Sequence, residues 1–138
     1  MGFIEAIKSF YSRYTDFSTR SSRSEYWWVQ LYYILAVIVL FVVLGIPSFL
    51  SSGSEVSGAQ VLGWFLPIAL FLLINIIPML ALTVRRFHDQ DKSGWMFCLN
   101  FIPYVGGFVV FVFMLLKGSY GPNRFGEDPL GNYEDIFE

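Results

Sequence analysis

The chain has 138 residues, of which 55% are hydrophobic, 20% aromatic and only 14% charged, with a mean hydropathy of +0.55. Soluble domains carry about 25% charged residues, so this composition excludes an ordinary water-soluble protein, and the length leaves room for one domain, 1–138. A net charge of −2 with pI near 5.3 argues against nucleic-acid binding, and a single cysteine, Cys98, excludes an internal disulfide and a cysteine-cluster metal site.

Residues 1–26 contain no continuous apolar run of signal-peptide type, so no cleavable leader is expected. Within residues 3–14, Phe3, Ile7, Phe10 and Tyr14 recur at helical spacing while Glu5, Lys8, Ser9 and Ser12 fall largely opposite them. That pattern predicts an amphipathic helix lying on a membrane surface; a helix packed on its own protein is the alternative. A Ser/Thr-rich link with Arg20 and Arg23 leads to Tyr26, Trp27 and Trp28, aromatic rings suited to headgroup depth.

The first membrane span is predicted over about 27–47, a length of about 31 Å against a hydrocarbon core of about 30 Å. Residues 48–60 form a Ser- and Gly-rich loop without Lys or Arg. The second span is predicted over about 61–84 and contains Pro67, Asn75 and Pro78. Its prolines are tolerable if neighbours satisfy the freed carbonyls, and Asn75 is expected to hydrogen-bond a neighbouring helix. The third apolar stretch, 94–116, is interrupted by Pro103, Gly106 and Gly107. A single kinked span is the preferred reading, with a re-entrant pair as the alternative. Residues 117–138 read as a polar tail of turns ending in a frayed acidic segment. The predicted fold is therefore an all-α membrane protein: three transmembrane helices, an N-terminal interfacial helix and a short polar C-terminal tail.

Lys and Arg number four before the first span, none in the first loop, three in the second loop and two in the tail. With three spans, the positive-inside rule places the N-terminus in the cytoplasm and the C-terminus in the periplasm.

The scarce polar residues gather in three places. One is Arg20-Ser21-x-Arg23-x-Glu25-Tyr26-Trp27. The second is Arg85-Arg86-Phe87-His88-Asp89, followed by Ser93-Gly94-Trp95. The third is Asn123-Arg124-Phe125-Gly126-x-Asp128-Pro129. In this order around these apolar runs, the motifs resemble the YhaH-type family of small bacterial inner-membrane proteins, a domain-of-unknown-function family. The resemblance runs from about Phe3 to Pro129, departing at Thr19, where the family usually has Gly. It implies a multi-pass protein of the bacterial inner membrane and carries no established activity.

Adjacent arginines at a helix end complement the helix dipole and mark the inner face, which accounts for Arg85 and Arg86 without further function. His88 beside Asp89 is less easily dismissed, because a carboxylate can orient an imidazole as a base or proton relay. Helical neighbours point about 100° apart, so that pair needs a loop or turn. A structural hydrogen-bond network tying this connector to the first motif is the favoured alternative. No metal-ligand spacing and no phosphate-binding glycine loop is present, and no cofactor is expected.

The reading that follows is a non-enzymatic binding or scaffold protein. Its basic cytoplasmic loops engage anionic lipid headgroups or a membrane-protein partner, with a homo-oligomer allowed. The alternatives are a small oligomeric transporter or channel subunit, with Asn75 and Asn100 lining a path, and a membrane enzyme using His88 and Asp89.

Overall fold

The computed structural model describes residues 1–53 and 55–131; the acidic end predicted beyond Gly131 lies outside the described residues. Helix α1 (Phe3–Ser12) is followed by two long helices, α2 (Arg23–Ser52) and α3 (Gly58–Asp89), then a 3-10 helix (Gly94–Phe101) and a short α4 (Gly106–Leu115). Among the described residues there is no strand beyond an isolated bridge between Asn123 and Gly126. The described chain divides into two compact units: Gln30–Ile76, and Met1–Val29 with the residues from Ile77 onward.

The unit Gln30–Ile76 is built from the apolar parts of α2 and α3. Only 6% and 22% of the most apolar windows of these helices are buried in the protein, so their side chains are not those of a soluble core. Ile38, Phe49, Leu62 and Leu73 are among the large apolar residues left exposed, and such surface is stable in lipid rather than water. The Tyr33 hydroxyl donates to the Asn75 carbonyl at 3.2 Å, and the Tyr33 and Phe71 rings lie 5.3 Å apart. The Asn75 side chain donates to Phe71 one turn back in its own helix, at 2.8 Å, rather than to a neighbouring helix as expected. A carbonyl one turn back lies within reach of a short amide, so no second helix is required.

The second unit has a small apolar core. Phe87, Val110 and Met114 form its centre, with Trp27, Phe97 and Phe113 packed around them. Helix α1 belongs to this unit. Ala6 and Phe10 are fully buried, while Ile4 and Tyr11 remain exposed. The start of α2 is capped by Ser22, whose hydroxyl accepts the Glu25 N–H at 3.2 Å.

The third apolar stretch differs from the single kinked helix expected of it. The 3-10 helix ends at Phe101, a turn through Pro103 and Tyr104 (φ 67°) reverses the chain, and α4 begins at Gly106. A Cβ at Gly106 would lie 2.1 Å from the Leu99 carbonyl oxygen, so only glycine permits this closeness of the two arms. The ten residues of α4 cover about 15 Å, half the hydrocarbon core.

Candidate functional site

The connector beginning at Arg85 is helical through Asp89, and the chain leaves α3 only at Gln90–Lys92, where Asp91 adopts φ 54°. Arg85, Arg86, His88 and Asp89 therefore project from the last turns of one helix, and each finds its own partners.

Asp89 is the hub. Its Oδ1 accepts from Arg20 Nε at 3.2 Å and Nη2 at 3.0 Å, and its Oδ2 accepts from Arg86 Nη1. Arg20 is 4% exposed, Asp89 4% and Arg86 0%. Two buried guanidinium groups on one carboxylate leave donors over, and main-chain oxygens of the tail take several of them, while Arg86 Nε stays unpartnered. Arg20 donates to the Ser119 and Gly121 carbonyls, each at 2.7 Å, and to Gly126 at 3.3 Å; Arg86 donates to the Leu116 carbonyl. Asp128 stands 4.0 Å from Arg20, accepts the Gly121 N–H at 3.0 Å and so shapes the turn that presents these oxygens. A Cβ at Gly118 would lie 2.1 Å from Asp89 Oδ2, so the tail passes this carboxylate with no room for a side chain.

A second cluster forms around Arg85 and Glu25, both buried. Arg85 donates to Ser21 Oγ at 2.8 Å and to the carbonyls of Arg13 and Asp16, each at 2.9 Å; its Nη2 stands 3.7 Å from Glu25. Glu25 also accepts from Ser9 Oγ at 2.9 Å and from Arg13. The loop between α1 and α2 is closed by Asp16, whose carboxylate accepts the Ser18 N–H and hydroxyl and the Thr19 N–H and hydroxyl. Partial burial alone would raise the Asp16 pKa, but these four donors outweigh it and hold the carboxyl well below the usual range.

His88 and Asp89 do not form the dyad considered from sequence. The imidazole Nδ1 lies 3.1 Å from the Thr19 carbonyl, and the ring stacks on Phe125 at 3.8 Å with an interplanar angle of 4°. The helix continues through both residues and sends their side chains in different directions, as the 100° rotation per residue requires. The Asp89 carboxylate is turned to Arg20 and Arg86 instead, so the orienting partner that the dyad reading required is engaged elsewhere. Among the described residues, no three His, Cys, Asp or Glu side chains gather as a metal site would need.

The remaining predicted residues divide. Asn123 joins the network, donating to the His88 carbonyl and to Ser119 Oγ, each at 2.9 Å. Gly126 supplies an oxygen to Arg20. Trp27 sits in the apolar core, 5.7 Å from the Phe111 ring. Ser93 caps the 3-10 helix, and Gly94 lies against Val84, where a Cβ would meet Cγ1 at 2.6 Å. Three stand apart from the buried pairs: Arg23 is exposed, Arg124 pairs with Asp91 at the surface, and Trp95 is 83% exposed. Sequence reasoning missed Arg13, Gly118 and Ser119 as members of the site. Gly118 falls in the tail read as turns, but nothing in the sequence shows which carboxylate it must clear.

Residues of the three motifs thus meet in two buried clusters, and the described residues include two long helices apolar enough to cross a bilayer. Residues 14–127 match the family described as Protein of unknown function (DUF805). The chain belongs to the DUF805 family. Two relatives carry the same comparison further. The Inner membrane protein YhaI of Escherichia coli (strain K12) is 38% identical over 119 residues, covering 84% of this chain and 87% of that protein. The Inner membrane protein YhaH of the same strain is 35% identical over 116 residues, covering 84% and 88%. No solved structure matches. Membership of DUF805 fits a bacterial inner-membrane protein of unknown activity, and the matched residues run from Tyr14 through the first two motifs into the third.

Proposed function

We propose that this DUF805 protein crosses the inner membrane twice and uses its polar unit as a non-enzymatic binding module for anionic lipid headgroups. All nine Lys and Arg residues lie outside Gln30–Ile76. With α2 and α3 as the two crossings, the positive-inside rule puts all nine on the cytoplasmic side. The bonds from Arg20 and Arg86 to tail carbonyls support a tail on that same side, which revises its predicted position from periplasmic to cytoplasmic. The hairpin of 3-10 helix and α4 then enters the bilayer without traversing it, led by the exposed rings of Phe101, Tyr104 and Phe108. Exposed Ile4 and Tyr11 of α1 fit the interface beside it. A reporter fused after Glu138 is expected to report the cytoplasm; a periplasmic signal refutes the two-crossing topology.

The observation that carries the lipid reading is a cavity of about 310 Å³ lined by Arg23, Ser24, Ser119, Asp89 and Asp128, with Lys117 beside them. Asp89 is already held by Arg20 and Arg86. Four cations therefore surround two carboxylates, and the surplus favours an anion. Arg23 and Lys117 are exposed, Arg23 with only a 3.4 Å bond to the Leu115 carbonyl, whereas Arg20, Arg85 and Arg86 are buried and bonded within the protein. Each basic residue near an anionic surface contributes about 1 kcal/mol. The double variant Arg23→Gln, Lys117→Gln, purified in native lipid, is expected to lose co-purifying phosphatidylglycerol and cardiolipin while keeping its helical content. Unchanged lipid retention refutes the reading.

A further inference from the structure

A second cavity, of about 410 Å³, has the opposite chemistry. Its wall includes Phe17, Val84, Trp95, Phe97 and Phe125, and the described lining carries no charged side chain. A charged ligand would be desolvated there without a counter-ion, so the site selects a neutral one. Flat aromatic walls favour a flat aromatic body, which packs by stacking and edge contacts.

The His88 imidazole gives the pocket direction. His88 is 6% exposed and lines this cavity. Its Nδ1 faces the Thr19 carbonyl at 3.1 Å; a carbonyl only accepts, so Nδ1 carries the proton and donates. In the neutral ring, that assignment leaves Nε2 with a lone pair and no proton. Phe125, stacked at 3.8 Å, fixes the plane of the ring. Nε2 looks toward Gly94, where an added Cβ would come within 3.3 Å, so glycine at this position in the wall leaves the nitrogen uncovered. The result is a fixed, outward acceptor in a mainly apolar, aromatic cavity whose other polar side chain, Ser93, accepts from the Trp95 N–H.

We propose that this pocket binds a neutral aromatic alcohol, whose ring lies among Trp95, Phe97 and Phe125 and whose hydroxyl donates to His88 Nε2. The site is separate from the headgroup cavity and does not rest on that reading. Because His88 is the only histidine in the chain, a ¹⁵N-histidine-labelled protein in lipid nanodiscs shows one imidazole. On titration with 2-naphthol, the Nε2 resonance is expected to move to lower frequency and saturate as the nitrogen accepts a hydrogen bond. The matched ether 2-methoxynaphthalene, which has the same shape without a donor, is expected to leave it in place. Cys98 is exposed and lines the same cavity, so Cys98→Phe fills it with little demand on the fold. That variant is expected to keep the protonated Nδ1 signal and lose the 2-naphthol response. An Nε2 that ignores 2-naphthol, that answers the ether equally, or that carries the proton in the free protein overturns the proposal.

Discussion

In Gln30–Ile76 the side chains are chosen for the solvent around them, whereas in the other unit they are chosen for one another. The first carries a single charged residue, Glu55, and exposes most of its large apolar side chains. The second spends its buried volume on guanidinium groups, with Arg85 and Arg86 among its largest fully buried side chains. An exposed leucine in lipid is replaceable by any apolar residue. A buried arginine is not, because removing its partner leaves an uncompensated charge. The difference is one of specificity: hydropathy places the helices, and the ion network defines a particular structure at their polar ends.

Substitutions separate the two regimes. The largest loss is expected for Asp89→Ala, which strands Arg20 and Arg86 together; breaking a buried pair costs about 3–5 kcal/mol. Thermal unfolding in mild detergent measures it, and a midpoint close to wild type would mean the network contributes nothing to stability. Gly118→Ala pushes a methyl group onto the Asp89 carboxylate and is expected to cost about 1–3 kcal/mol by overpacking.

A smaller effect concerns Asp16, whose folded pKa is depressed. Its stabilising contribution is present above the unfolded carboxylate pKa of about 3.9 and is lost as pH falls through the folded value. Unfolding midpoints below about pH 4 are therefore expected to fall less steeply in Asp16→Asn than in wild type. The group is partly exposed, so solvent screening limits the size of the difference. The smallest change is expected for Leu73→Val in the apolar unit, within about 0.5 kcal/mol. A loss there comparable to Asp89→Ala would erase the contrast between the units.

Much of this was legible in the sequence. The two long helices contain the predicted spans 27–47 and 61–84, because an apolar run of that length has few other solutions. The grouping of motifs was also visible, since polar residues this scarce in a greasy chain must satisfy each other. Their pairing was not. Beyond Asp89, Arg20 and Arg86 bind carbonyl oxygens of the tail, and every residue offers a carbonyl, so no residue type announces it. The third apolar stretch misled for a related reason: hydropathy counts apolar residues, whereas the reversal at Pro103–Tyr104 depends on the absence of a Cβ at Gly106. His88 and Asp89 looked coupled because they are adjacent in sequence, and a helix is the conformation that sends such neighbours apart.

The bonds from Arg20 to Gly121 and Gly126 join positions 101 and 106 residues apart. Translation at 5–20 residues per second separates their synthesis by roughly 5–20 s. Throughout that interval Arg20 has been made and these oxygens have not, and Arg86, once made, waits a further 30 residues for the Leu116 carbonyl. The cluster around Arg85 and Glu25 has all its partners once Arg85 is made, whereas the hub at Asp89 is completed only when the tail arrives. A protein truncated before Leu116 would carry correctly inserted helices and unsatisfied guanidinium groups, a state that cellular proteases can distinguish from the finished one.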